Sequence, residues 1–263
     1  MSDSVRIAGV KYLNARPLLA GLEAGISAPF AYGLTRIDPA HCAAALRDGT
    51  ATVATVPVAA LADLPAVQVV GSLGIACRRE ATSVLLFSPR PLPQVRSLAV
   101  HAASRTSVAL ARLLLAERWG ARPTVVPVDP PLDSMLERAD AALVIGDAAF
   151  AARQQAEPAL DLGLAWTQWT GLPFVFAVWA VRGEVPAGLV ATLEASLAYG
   201  EAHWRQLVPV WAREHGVSEE LADRYLGETM TFRLGREERA GLAEFARRAA
   251  AAGVLPRHRV TWL

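Results

Sequence analysis

The feature that most constrains this chain is a regular alternation of short apolar segments with amphipathic ones. The apolar segments predict four strands in the N-terminal part of the chain, at residues 5–10, 28–33, 52–56 and 67–71. Between them, Pro17 predicts the start of a helix that ends near Glu23, and Asp38 predicts the cap of a second helix that ends at Arg47. Because strands separated by helices usually pair in parallel, this order predicts an α/β fold.

A second unit of the same kind follows a stiff, proline-rich passage. The apolar run 82–87 leads into Ser88-Pro89-Arg90-Pro91-Leu92-Pro93, which we interpret as the crossing from one lobe to another. Further strands are predicted at 98–101, 124–128, 141–145 and 173–182, and further helices at 106–119, 132–138, 187–201, 203–215, 218–227 and 235–251.

Two such units joined by two crossings predict a hinged, two-lobed molecule with a helical C-terminal region. We assign residues 1–87 and 180–263 to the first lobe and residues 88–179 to the second. The ligand is expected in the cleft between the lobes, because such boundaries are common binding sites.

Charge and residue spacing exclude several classes of function. A net charge of +1 over 263 residues argues against nucleic acid as a partner, because sequence-independent binding needs a basic surface. No apolar run reaches the roughly 18 residues of a membrane span, and no basic, apolar leader precedes the first strand, so we expect a cytoplasmic protein without membrane contacts. The histidines and the two cysteines lack metal-binding spacing, and no glycine-rich nucleotide motif occurs, so we predict neither metal nor cofactor. The oligomeric state stays open.

Polar residues at the ends of predicted strands are the candidates for the site. Asn14 and Arg16 follow the first strand, where ligands bind in open α/β sheets, although an ordinary helix cap before Pro17 explains the same pattern. Thr82 and Ser83 would face the cleft at the crossing strand, or would be ordinary strand residues.

Three hydroxyls and a guanidinium stand at the start of the helix predicted at 106–119. Ser104, Arg105, Thr106 and Ser107 would surround a helix N-terminus, whose free N–H groups and partial positive charge favour an anion. The alternative is a capping sequence, since serine and threonine are preferred there in any case.

Two further candidates are weaker. Gly146 and Asp147 end the strand predicted at 141–145, where Asp147 is either a helix cap or a group that reaches the cleft. Thr170 precedes the returning strand inside an aromatic segment, 166–179, most of which we interpret as core packing.

These segments, in this order along the chain, resemble the chorismate dehydratases of the futalosine route to menaquinone. The resemblance rests on five motifs: Tyr12-Leu13-Asn14 with Pro17-Leu18, Thr82-Ser83, Ser104 with Thr106-Ser107, Ile145-Gly146-Asp147, and Asp161-Leu162-Gly163 through Thr170-Gly171-Leu172-Pro173 to Trp179. It implies a fold like the type II periplasmic binding proteins. It also implies loss of water from chorismate to give 3-[(1-carboxyvinyl)oxy]benzoate.

The resemblance also implies roles for individual residues. Asn14 and Ser83 occupy the positions that the family ties to activity, and the hydroxyls of Ser104, Thr106 and Ser107 match its carboxylate-binding cluster. Arg16 and Arg105 rest on the physical argument alone. No Ser-His-Asp or Cys-His grouping is evident, so we expect a substrate carboxylate to act as the base, with Asp147 as the alternative.

Three other functions remain open at this point. A solute-binding protein would share the fold, but it would carry a secretion signal. The sister enzyme that makes 1,4-dihydroxy-6-naphthoate has a Ser-Pro-Cys-Pro-Asn-Asp-type opening that Tyr12-Leu13-Asn14 does not match. The effector domain of a transcription regulator would need a helix-turn-helix before the first strand.

Overall fold

Two mixed β-sheets, each flanked by helices, make up the computed structural model, which describes residues 4–64, 67–101, 104–258 and 260–263. The strands in chain order are β1 (Val5–Val10), β2 (Tyr32–Ile37), β3 (Val53–Pro57), β4 (Val67–Cys77), β5 (Val84–Phe87), β6 (Ser97–Val100), β7 (Thr124–Pro127), β8 (Ala141–Ile145), β9 (Leu160–Asp161), β10 (Phe174–Arg182) and β11 (Met230–Arg233). One sheet has the order β11-β4-β10-β3-β1-β2 and the other β7-β6-β8-β5-β9. The predicted α/β class is confirmed.

The helices fill the connections between these strands and form most of the C-terminal third. They are α1 (Arg16–Glu23), α2 (Pro39–Asp48), α3 (Thr106–Trp119), α4 (Leu132–Leu136), α5 (Asp147–Gln155), α6 (Leu162–Thr170), α7 (Leu189–Ala202), α8 (Trp204–Glu214), α9 (Glu219–Arg224) and α10 (Arg236–Ala251). Short 3-10 turns span Leu13–Ala15 and Val58–Asp63, and a π-helical turn spans Tyr225–Thr229 directly after α9. Within the described ranges, no helix combines the length and the apolar character that crossing a bilayer would require.

Parallel pairing occurs where the helical connections predict it. β1 pairs in parallel with β2 and β3, and β6 pairs in parallel with β7 and β8. The returning strand β10 runs antiparallel between β3 and β4, and β5 runs antiparallel to β8. The carboxyl ends of β1 and β8 and the start of α3 lie together at the junction of the two sheets.

The second strand lies later in the chain than predicted. It spans Tyr32–Ile37 rather than 28–33, because Pro29 cannot donate a ladder hydrogen bond and β2 is an edge strand with few buried residues. Helix α6 was not predicted at all. Its start depends on Asp161, whose carboxylate accepts the N–H groups of Gly163 and Leu164.

The chain changes sheets earlier than predicted. β5 pairs in the five-stranded sheet and β10 in the six-stranded one, so the crossings lie between Cys77 and Val84 and between Asp161 and Phe174. The prolines 89–93 follow the first crossing and lie inside the second unit. The apolar run 82–87 predicts a strand but does not say which sheet it joins, so the predicted lobe boundaries after 87 and 179 need this correction. The division into two lobes stays a proposal.

One contiguous apolar core extends through both units. Trp166, Trp179, Trp211, Phe174 and Phe245 are among its fully buried side chains. Helix α10 packs against β10, and its Gly241 meets the strand's start so closely that an added Cβ would lie 2.0 Å from the carbonyl oxygen of Pro173.

Replacing Gly241 by alanine should destabilise the protein, although alanine is the better helix former by about 1 kcal/mol. The methyl group would force α10 away from β10, and overpacking of this kind costs about 1–3 kcal/mol. Urea unfolding measures the change. Gly33→Ala is the matched control, because Gly33 is exposed on β2 with no neighbouring atom within 4 Å of its Cβ position. Equal free energies of unfolding for both variants would contradict this account of the helix–strand contact.

Candidate active site

A cleft lies where the two sheets meet, at the end of β1 and the start of α3. It holds about 490 Å³ of empty space, counting the part open to solvent. Its walls are mainly apolar, with Ile75, Val84 and Phe176 on one side. Its polar groups come from Tyr12, Asn14 and the segment 104–107. Apolar walls with a few polar groups suit a ring that carries carboxylates.

Asn14 lies on the 3-10 turn that follows β1 and lines the cleft. Its side chain is half-buried, and its Oδ1 atom is buried with no hydrogen-bond partner among the described residues. A buried acceptor without a partner costs about 1–3 kcal/mol, so it suits a group that a ligand will satisfy. Asn14 can thus accept a hydrogen bond from a substrate hydroxyl.

Ser83 follows the first crossing between the sheets and is only 1% exposed. Its Oγ atom shares a 2.6 Å hydrogen bond with the hydroxyl of Tyr225, which is 2% exposed. The carbonyl of Ser83 accepts the N–H of Gly146, so the serine is tied to the loop after β8 as well.

Tyr225 is the residue that the sequence did not indicate. It opens the π-helical turn after α9, and its ring packs edge-on against Phe150 at 5.0 Å between centroids. Burial raises the pKa of Tyr225 above its usual range, while hydrogen bonds from Ser83 and Asn14 oppose the rise. The phenol is therefore neutral at physiological pH. Turns of this kind occur often at functional sites, but their sequences carry no signature.

The hydroxyl cluster at the start of α3 lines the cleft, and its members differ in their contacts. Ser104 is buried, and its Oγ has no partner among the described residues. Thr106 donates to the carbonyl of Phe176 at 3.1 Å and accepts the N–H of Ala59 at 3.2 Å, so its hydroxyl ties α3 to the other sheet. Ser107 is buried against the cleft.

Among the residues that the structure describes, no side chain caps α3. The N-cap position is Arg105, which makes no capping hydrogen bond, so the first N–H groups of this 14-residue helix stay available to a ligand. The guanidinium of Arg105 lines the cleft and pairs with the carboxylate of Asp63, which ends the 3-10 turn after β3. Both side chains are substantially exposed, and such pairs contribute little stability, so an anionic substrate could displace Asp63.

Gly146 and Asp147 join the second unit to the first. Gly146 has φ +63°, and a Cβ there would lie 3.0 Å from the ring of Tyr12. Both oxygens of Asp147 are in use, because Oδ1 accepts the N–H of Leu13 at 3.1 Å and Oδ2 lies 2.7 Å from Nδ1 of His215. Asp147 therefore holds the Asn14 turn in place instead of reaching into the cleft.

The family model for menaquinone biosynthesis matches residues 5–251. The chain belongs to this menaquinone biosynthesis family. A relative, the chorismate dehydratase of Thermus thermophilus, is 36% identical over 183 residues. That match covers 62% of this chain and 66% of the relative, slightly less than two thirds of the relative's length.

Comparison with solved structures shows the fold of this chain. A protein of Archaeoglobus fulgidus superposes with a TM-score of 0.82 at 17% identity, covering 97% of this chain and 99% of its own. A Candida albicans protein described as having the generic periplasmic binding protein fold gives 0.69 at 12% identity, covering 98% and 92%. The periplasmic aliphatic sulphonate binding protein of Escherichia coli gives 0.62 at 15% identity, covering 100% and 94%. The periplasmic-binding-protein-like fold expected from the resemblance is confirmed.

Five residues predicted for this family's site do not line the cleft: Ser83 and Asp147, whose contacts are given above, and three others. Arg16 is buried on α1, where it pairs with Glu23 at 3.0 Å and Glu214 at 2.9 Å. Thr170 ends α6, donating to the carbonyl of Trp166 and accepting the N–H of Leu172.

Thr82 is the third of these other residues. It adopts a left-handed backbone conformation with φ +61°, its N–H donates to Asp161 at 2.7 Å, and it lines a separate groove. Nearness in sequence to Ser83 therefore did not place it beside the same ligand site.

Two tyrosines with raised pKa values should make the protein sensitive to alkali. Burial is the main cause that raises the pKa of Tyr12, with Asp38 and Asp147 adding to it, and burial likewise raises the pKa of Tyr225. Below pH about 10 both phenols are protonated in the folded and the unfolded states. Above it the unfolded chain ionises first, so the free energy of unfolding should fall as pH rises toward the raised folded pKa values. Urea unfolding across this range, compared with a Tyr12→Phe/Tyr225→Phe variant, measures it. A variant that loses as much stability between pH 9 and about 11 as the native protein would contradict the assignment.

Proposed function

We propose that this protein is a chorismate dehydratase, a carbon–oxygen lyase that removes water from chorismate to give 3-[(1-carboxyvinyl)oxy]benzoate. The observation that carries the proposal is the position of Asn14 in the cleft lining, next to the buried hydrogen-bonded pair of Ser83 and Tyr225. Asn14 and Ser83 are the positions that the resemblance ties to activity, and they come from segments far apart in the sequence. Membership of the menaquinone biosynthesis family and the Thermus relative support the same assignment.

The shape and charge of the cleft suit a dianionic ring compound. The free N–H groups of α3, with Ser104, Ser107 and Arg105, would bind one carboxylate without any change of protonation. The walls formed by Ile75, Val84 and Phe176 would hold the ring. Closure of the two units would exclude water and orient the substrate.

The reaction is an elimination that needs little from the protein. The ring hydroxyl of chorismate leaves with its bonding electrons, and the neighbouring ring carbon loses its proton. The electron pair of that C–H bond becomes part of the new aromatic ring. The proton and the hydroxyl together make the water that is lost. The buried Oδ1 of Asn14 would accept a hydrogen bond from the departing hydroxyl and orient it, and Ser83 would hold a carboxylate.

A substrate carboxylate is the base that we propose. Among the described residues that line the cleft, none is an acid or a histidine. Asp147 is the nearest alternative, but both of its oxygens are already engaged with Leu13 and His215.

We further propose that the enzyme works in the cytoplasm, in the futalosine route to menaquinone, with lobes divided at the corrected crossings. A carboxylate-binding protein of the same fold is the second candidate, favoured by the likeness to the sulphonate-binding protein. The sister naphthoate synthase is less consistent with the Tyr12-Leu13-Asn14 turn. Turnover separates the enzyme from a binding protein.

Purified protein incubated with chorismate should give a product lighter by one water, identified by chromatography and mass spectrometry. Asn14→Ala and Ser83→Ala should each lower kcat by about 100-fold or more, as loss of a well-placed polar group does. Ser72→Ala is the matched control, because its hydroxyl contacts Glu194, which does not line the cleft. Unchanged chorismate, together with a raised melting temperature in its presence, would replace the enzyme by a binding protein.

Asp147→Asn tests the identity of the base. Asparagine keeps an acceptor for the N–H of Leu13 but cannot take a proton, so kcat should stay within about 10-fold of the native value if the substrate supplies the base. Steady-state kinetics and chorismate binding are measured on the same sample. Lost turnover with intact binding would assign the base to Asp147 instead.

A further inference from the structure

We propose that Tyr225 is a positioning residue of this enzyme, and that its buried hydroxyl fixes the positions of the Ser83 and Asn14 side chains. The inference rests on the proposed function, since it concerns the same reaction. It assigns to the C-terminal helical region a part in catalysis that none of the sequence motifs indicated. Asn14 lines the cleft, whereas Ser83 and Tyr225 lie behind it, so Tyr225 acts through its two neighbours and not on the substrate.

Three segments converge on this hydroxyl. Ser83 arrives from the first crossing between the sheets, Asn14 from the turn after β1, and Tyr225 from the turn after α9. The Ser83–Tyr225 hydrogen bond measures 2.6 Å between oxygens that are shielded from water. In such surroundings neither hydroxyl has water as an alternative partner, so each fixes the orientation of the other.

Tyr225 is the more rigid member of the pair. Its ring is confined by the edge-on contact with Phe150, and the residues that follow lead directly into β11, which pairs with β4. Ser83 has a single rotatable bond that offers three staggered positions for its oxygen. The tyrosine hydroxyl selects one of these positions, and the scaffold holds the tyrosine.

Ser83 and Asn14 both act on the phenol of Tyr225, because each lowers its pKa as a hydrogen-bond partner against the larger effect of burial. In the Ser83–Tyr225 pair either oxygen can be the donor, and the 2.6 Å geometry is the same in both cases. Asn14 is the member of this group that lines the cleft, and its Oδ1 atom is buried without a hydrogen-bond partner among the described residues.

The test is a double-mutant cycle on the intact protein with chorismate as substrate. Tyr225→Phe removes only the hydroxyl and should lower kcat by about 10- to 100-fold, with KM changed by less than about threefold. If Tyr225 acts through Ser83, the Ser83→Ala/Tyr225→Phe variant should be no slower than Ser83→Ala alone. Tyr32→Phe is the matched control, because its hydroxyl contacts the carbonyls of Leu22 and Ile26 away from the cleft, and its kcat should equal the native value.

A second variant covers the case in which Tyr225→Phe does not fold. Phe150→Leu keeps the tyrosine hydroxyl but loosens the ring that carries it, and it should lower kcat by roughly threefold to tenfold with KM unchanged. Native kcat in Tyr225→Phe or in Phe150→Leu would overturn the inference, as would effects that multiply in the double variant. A native protein that leaves chorismate unchanged would instead overturn the proposed function, and the inference with it, before any variant is compared.

Discussion

The carboxylate of Asp161 is the point on which the arrangement of the two units depends. It accepts the N–H groups of Ala81 and Thr82 from the first crossing and those of Gly163 and Leu164 from the second, at 2.7 to 3.1 Å. Four donors on one carboxylate hold both crossings together, and hydrogen bonds to a charged acceptor are the strong ones. The left-handed backbone of Thr82 is stable only because this anchor compensates for its strain.

The position of Ser83 follows from that anchor. Once Ala81 and Thr82 are held, the next residue enters β5 with its side chain toward Tyr225 and its carbonyl toward Gly146. Further ties cross the junction between the units: Thr106 to the carbonyl of Phe176, and Asp147 to Leu13 and His215. The cleft is therefore set largely in advance by these hydrogen bonds, and two of the residues that line it, Asn14 and Ser104, each have a buried oxygen without a partner among the described residues.

Much of this could be predicted from the sequence, because local signals decide it. The helix at 106–119 and the strand at 141–145 match the structure, since apolar periodicity and flanking turn residues specify such elements. The placement of Asn14 and of 104–107 at the cleft follows from the rule that ligands bind at the carboxyl ends of strands. Tyr225 could not be found this way, because its contact with Ser83 joins distant segments through a turn type without a sequence signature. The roles of Arg16 and Thr82 depend on which side of their elements faces the cleft, which the motifs do not specify.

A site built from neutral donors and one helix N-terminus has a consequence for its chemistry. Within the described residues, the groups that touch the cleft keep their protonation states across physiological pH, because they are hydroxyls, an amide, backbone N–H groups and a guanidinium. Such groups stabilise charge without exchanging protons, so in the reaction that we propose the moving proton would pass between atoms of the substrate or reach Asp147. The two oxygens of Asp147 already contact Nδ1 of His215 and the N–H of Leu13. If Asp147 also accepted a proton, these contacts would weaken and the turn that carries Asn14 would loosen. The same carboxylate cannot both hold that turn and accept the ring proton without weakening the site it supports, which favours a base carried by the substrate.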